Sequence, residues 1–170
     1  MNDHRQSGRA PAGVQGAPAT SAAWWYLVAI AAGNLVWEFA QLPLYTIWRT
    51  GSTGEIVFAA VHCTGGDILI GTGSLVLALV LAGAAWPSTS TSYRRVVALT
   101  VAFGLAYTVF SEWLNVVVRK SWAYSELMPI VPVVNAGLSP LLQWIMLPLA
   151  AFWWAQRRLP LDIRQPATGP

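Results

Sequence analysis

The chain reads as all-α: a four-helix transmembrane bundle with a short, partly re-entrant or interfacial segment before the last helix. Three observations carry that reading. Of the 170 residues, 55% are hydrophobic and only 10% are charged, and the mean hydropathy is +0.50. A soluble domain carries about 25% charge, so a water-facing surface here would go largely uncovered. The apolar residues fall into four long runs, near or above the roughly 20 residues that cross a hydrocarbon core as helix. Polar breaks (RTGSTGE, WPSTSTSYRR and RKSWAYSE) separate the runs.

Residues 1–21 are dominated by Ala, Gly, Pro, Ser and Gln with Arg5 and Arg9, a composition expected of a disordered tail. The apolar stretch that follows exceeds the roughly 7–15 residues of a signal-peptide core, and no small-residue cleavage site closes it. It is therefore expected to stay as the first helix, from Ala22 to Trp48 with Pro43 near its end. The second run spans Ile56 to Ala85 and the third Val96 to Val118. The fourth is cleanest between Pro140 and Ala155, closed by Gln156, Arg157 and Arg158. Between the last two, Met128 to Ser139 is apolar yet carries Pro129, Pro132 and Gly137, which marks it as the re-entrant or interfacial piece. The expected organisation is a tail at 1–21, a bundle at 22–158 and a second tail at 159–170. No internal repeat is evident.

An even number of spans puts both termini on one side. Seven basic residues (Arg5, Arg9, Arg94, Arg95, Arg157, Arg158, Arg164) fall on that side against three (Arg49, Arg119, Lys120) on the other. The bias predicts cytoplasmic termini in a bacterial inner membrane. These basic residues border apolar runs, so the net charge of +3 signals orientation and not a nucleic-acid partner. Trp24, Trp25, Trp86, Trp122, Trp153 and Trp154 sit at span ends, where an aromatic belt is expected. Cys63 is the one cysteine, so no intrachain disulfide can form, and it reads as packing. Pro43 and Pro148 read as kinks or helix ends.

Against this apolar background, Glu38, His62, Asp67 and Glu112 stand out. Ionisable side chains at membrane depth are costly, and the default reading is a functional site facing the protein interior. Helix rise puts Glu38 roughly 21 Å above Trp24, and Glu112 roughly 25 Å above Arg95. On the descending second helix, His62 is about 9 Å and Asp67 about 16 Å below Ile56. All four thus lie at the middle of the bilayer or in its outer half. Asn34, Glu38 and Gln41 share one face of their helix, as do Glu112 and Asn115 with Thr108 one turn below. Gln143 opens the fourth helix at a similar height. His62 and Asp67 are about 140° apart on an ideal helix, and Gly65-Gly66 offers a place where the helix would loosen to bring them together. Gly71 and Gly73 extend a small-residue surface suited to close helix packing. Tyr45, Tyr107 and Tyr124 are candidate donors into the site.

Two carboxyls and an imidazole in a low-dielectric cavity suit proton transfer. In that reading Glu38 and Glu112 are the acid–base groups, His62 and Asp67 form a tuning pair, and Gln41, Asn115, Asn34, Gln143 and Trp122 orient a ligand. The same four ionisable groups would also suit a divalent metal, although no local motif such as HExxH appears. The chain has no GxSxG, Walker loop or dinucleotide fingerprint, so neither a metal nor a cofactor is assigned. The structural alternative is that the carboxyls are protonated and only hydrogen-bond between helices. His62 and Asp67 would then satisfy each other.

The strings WEFAQLPLYTIW, AVHCTGGDILIG, YTVFSEWLNVVVRKSWAYSELMPIVP and GLSPLLQW resemble an uncharacterised family of small bacterial integral membrane proteins, over about residues 22–158. That resemblance implies a four-helix membrane protein. A fainter likeness is to EXPERA-type bundles, which include the emopamil-binding sterol isomerases. It implies a ligand near Glu112, Asn115 and Trp122. The expected function is a polar intramembrane site that binds a lipid-like or small amphipathic molecule and carries groups for acid–base chemistry on it, with membrane lipids as partners. One alternative is a proton-linked or metal-ion transporter. Another is a non-catalytic assembly partner whose buried polar residues only lock helix packing.

Overall fold

The structure is a computed structural model that describes residues 16–82 and 90–159. The expected tails before 16 and after 159, the turn at 83–89 with Trp86, and Arg5, Arg9 and Arg164 lie outside the described residues. The chain forms α1 (Gly16–Gln41), a single turn α2 (Ile47–Thr50), then α3 (Thr53–Ala82), α4 (Ser90–Glu112) and α5 (Leu138–Arg158). Four segments are long and apolar enough to cross a membrane: Ala19–Leu44, Thr53–Ala82, Thr91–Val118 and Leu138–Arg158. The protein is a multi-pass membrane protein built as a four-helix bundle. α1 packs on α3 and α5, and α4 packs on the same two, so the four helices form a closed ring.

Helix ends follow local chemistry. α1 starts at Gly16, ahead of the expected Ala22, and breaks at Gln41 instead of reaching Trp48. Pro43, lacking an N–H, falls in the 3₁₀ turn Leu42–Leu44, and Tyr45 leaves it in extended conformation. α3 opens with a reciprocal cap: Ser52 Oγ and N donate to Glu55 Oε2 at 2.8 Å each, and Glu55 N donates to Ser52 Oγ at 3.4 Å. α3 then runs unbroken through Gly65 and Gly66. The loosening expected there does not occur, because the remaining backbone bonds of a long helix hold it. α4 widens after Glu112 into a π turn, Trp113–Val118, a distortion often found beside functional sites. Lys120 then leaves the helix with φ of 53°. α5 passes through the buried Pro148 without ending there, so this proline is not a helix end.

The segment Met128–Ser139 forms no helix ahead of Leu138, where α5 begins. It folds as a small antiparallel hairpin of β1 (Ile130–Val131) and β2 (Ala136–Gly137). Its turn residue Val133 is 93% exposed. The loop ahead of it pairs with the exit of α1. Thr46 N donates to Ala123 O and Ser125 N to Leu44 O, both at 2.9 Å, and Ser125 Oγ donates to Pro43 O at 3.0 Å. This layer closes one end of the bundle, here termed the loop end. At the opposite, terminal end, the Arg158 guanidinium lies over Trp25 and Trp154 at 5.2 and 5.0 Å. That contact sets the start of α1 beside the end of α5.

Packing differs between the two halves. The terminal half is filled by Tyr26, Ile30, Leu75, Val96, Ala151 and Phe152, with Tyr26 and Phe152 rings 4.5 Å apart. Outward faces are apolar: Trp24, Val36, Phe58, Leu69 and Val80 are exposed, as a bilayer solvent permits. The small-residue contact expected on α3 forms at Gly71, where an added Cβ would lie 3.0 Å from Ile30. It does not form at Gly65, Gly66 or Gly73, where a Cβ would meet nothing within 4 Å. The tightest approach in the bundle interior is at Gly104 on α4, where a Cβ would lie 2.3 Å from the Trp144 ring of α5.

Candidate functional site

The loop half of the bundle holds the polar residues, and Gln143 of α5 is their hub. Its Nε2 lies 2.7 Å from Asn34 Oδ1, 3.0 Å from Asp67 Oδ2 and 3.1 Å from Glu38 Oε1. An amide nitrogen carries two hydrogens for these three acceptors, so at least one hydrogen is shared. Gln41 Nε2 donates to Glu38 Oε1 at 2.8 Å and reaches Gln143 Oε1 at 3.4 Å. Ser139 Oγ donates to Gln41 Oε1 at 2.8 Å and accepts from Trp37 Nε1 at 3.2 Å. Asn34 is oriented by its own helix, donating to Ile30 O at 2.8 Å. All five of Asn34, Glu38, Gln41, Asp67 and Gln143 are buried. Helix spacing explains this: Asn34, Glu38 and Gln41 present one face of α1, as expected, toward the first turns of α5.

Glu38 and Asp67 both accept from the one Gln143 nitrogen, which sets the two carboxyls side by side. The pair expected between His62 and Asp67 does not form. His62 is exposed at the rim, stacked on Phe58 with ring centroids 5.4 Å apart. The reason is the intact α3 helix, which keeps the two side chains on different faces.

Glu112 forms a second centre. Tyr124 donates its hydroxyl to Glu112 Oε2 and accepts from Gly137 N at 2.9 Å. The Tyr45 ring packs 5.6 Å from that of Tyr124. Burial, and then the neighbouring Glu112 carboxyl, hold the Tyr45 phenol well above its ordinary range. The Tyr124 phenol is pushed up by burial and then by its bond to Glu112. Both phenols thus remain donors at neutral pH. A phenol raised in the folded state contributes stability that is whole below its unfolded value, about pH 10, and that fades as pH rises through the folded value. Tyr124→Phe is therefore expected to cost about 1 kcal/mol near neutrality. It should also remove one late-titrating phenol from an ultraviolet pH titration. A wild-type titration in which every phenol ionises at the ordinary pH would contradict this assignment.

Both centres open on one cavity of about 760 Å³. Glu38, Gln41, Asp67, Gln143, Glu112 and Asn115 line its loop-side half. Asn34 does not line it and acts behind the wall, on Gln143. The Asn115 amide is committed to Ser111, at 2.9 Å to O and 3.3 Å to Oγ. Trp122 lines the cavity, and its buried indole N–H has no acceptor among the described residues. Arg119 and Ser121 stand exposed at the loop-end mouth. Among the described residues no group of three or more His, Cys, Asp and Glu is gathered as metal ligands. His62 at the rim and Glu112 on its own centre leave Glu38 and Asp67 as a bare pair.

Ser139, Trp144 and Arg119 are site residues that the sequence did not reveal. Ser139 looks like a loop residue until the first turn of α5 sets it over Gln41. Trp144 reads as belt or core, and Arg119 as an orientation signal. Comparison with known proteins gives no counterpart: no family model, curated protein or solved structure matches the chain.

Proposed function

We propose that the cavity binds a lipid-like or small amphipathic molecule from the bilayer, with the Glu38–Asp67 pair and Glu112 placed to exchange protons with it. One observation carries this reading. A chamber of about 760 Å³ has carboxyls and amides at its loop side and, on α3, an apolar wall that includes the outward-facing Leu69 and Leu77. Its size falls in the range of small-molecule sites. Glu112, Asn115 and Trp122, the residues implicated by the EXPERA likeness, all line it. The charge bias of Arg94, Arg95, Arg157 and Arg158 against Arg49, Arg119 and Lys120 supports a bacterial inner membrane with both termini cytoplasmic. The polar side would then lie in the outer leaflet.

A transporter needs access from both faces, and the filled terminal half, with Tyr26, Ile30 and Phe152 fully packed, argues against it. An assembly partner needs only interhelical hydrogen bonds and has no use for a chamber of this volume. The test is native mass spectrometry of gently extracted protein. Wild type should carry a lipid-like adduct. Glu38→Gln and Glu112→Gln should fold but lose it, binding at least about tenfold more weakly, a difference of about 1.4 kcal/mol. Full adduct on both variants would sink the proposal.

A further inference from the structure

The cavity is longer than a polar head group requires, and its chemistry changes along its length. On α3, His62, Gly66, Leu69, Ile70, Gly73 and Leu77 form one stripe of the cavity wall at spacings of three and four. From Asp67 to Leu77 that stripe descends roughly 15 Å, about half the thickness of a hydrocarbon core. Facing it on α4 are Phe103 and Tyr107, so this limb is walled chiefly by apolar groups. Leu69, Leu77 and Tyr107 are also exposed on the outside of the bundle, which makes the α3–α4 seam a sideways opening to lipid. The cavity of about 760 Å³ falls within the roughly 300–1,000 Å³ of sites that take one small molecule, room for one chain with its head.

We propose, resting on the function argued above, that the ligand is a single-chain amphiphile. It enters between α3 and α4, seats a hydroxyl-bearing head near Glu38, Asp67 and Glu112, and lays its tail along α3 toward the terminal end, past Gly73. A hydroxyl suits the head because it donates to a carboxyl oxygen, and Glu38, Asp67 and Glu112 all line the cavity. Gly73 sets the depth of the limb. An added Cβ there meets nothing within 4 Å, so a larger side chain fits the fold but occupies the channel. Gly65 supplies the control: a Cβ there also meets nothing within 4 Å, and Gly65 is not part of the cavity wall.

The experiment measures binding of octanol, dodecanol and hexadecanol to detergent-purified wild type, Gly73→Leu and Gly65→Leu by native mass spectrometry. In wild type and Gly65→Leu, affinity should rise along the series. In Gly73→Leu, hexadecanol should lose about tenfold or more, as the burial of two or so methylenes would require, while octanol is unchanged. An unaltered chain-length profile in Gly73→Leu overturns the tail assignment, and if binding still depends on Glu38 the parent reading survives. The same loss in Gly65→Leu also overturns it, since the effect would then come from the helix and not the channel. No binding of any alcohol to wild type, with no co-purified lipid, overturns both.

Discussion

Gln143→Leu should lower the stability of the bundle by about 2–4 kcal/mol, read as a shifted midpoint of unfolding in mixed micelles. A single interhelical hydrogen bond in a membrane protein averages only about 0.6 kcal/mol. Gln143 makes three such bonds through one nitrogen, to Asn34, Asp67 and Glu38. Leucine of similar volume deletes all three and leaves two buried carboxyls short of a donor, which adds the desolvation cost of unsatisfied groups. Gln143→Glu should be worse near neutral pH, because it turns the donors into further acceptors against Glu38 and Asp67. An unmoved midpoint in Gln143→Leu would mean that apolar packing alone holds α5 to α1 and α3.

Gly104→Leu should cost about 3 kcal/mol or more and prevent α4 from seating on α5. Even a Cβ would lie 2.3 Å from Cε3 of Trp144 and 2.9 Å from Cζ3. The indole cannot swing away cheaply, because Trp144 is 2% exposed and packs beside Asp67. Gly104→Ala should show the same defect in milder form. Pairing it with Trp144→Phe should recover part of the loss, since the smaller ring frees space at the contact. The readout is the fraction of folded monomer after extraction, followed by thermal unfolding. A fully stable Gly104→Leu would show that α4 and α5 are further apart than described.

The four-helix architecture was legible because membrane spans are coded by length and hydropathy, which tolerate many sequence details. The clustering of Glu38, Asp67, Gln41, Asn34 and Gln143 was legible for a related reason: helix rise converts sequence position to depth, and helical spacing converts it to a face. What stayed hidden depended on direction and on loops. His62 lies at the right depth but faces the rim, and only the persistence of helix through Gly65-Gly66 decides that. In the sequence Tyr124 is merely one candidate donor among three tyrosines. Its bond to Glu112 arises from the pairing of Leu44–Thr46 with Ala123–Ser125, a tertiary match between segments far apart in the chain. Gly104 looked like any glycine in an apolar run until Trp144 was placed against it.

The solid packing of Tyr26, Ile30, Val96 and Phe152 closes the chamber at its terminal end. On the proposed reading a guest has no through route: what enters from the loop side or the seam leaves on the same half of the bundle. A converted product would then compete with incoming molecules for the same room. Exchange would slow as the membrane fills with it.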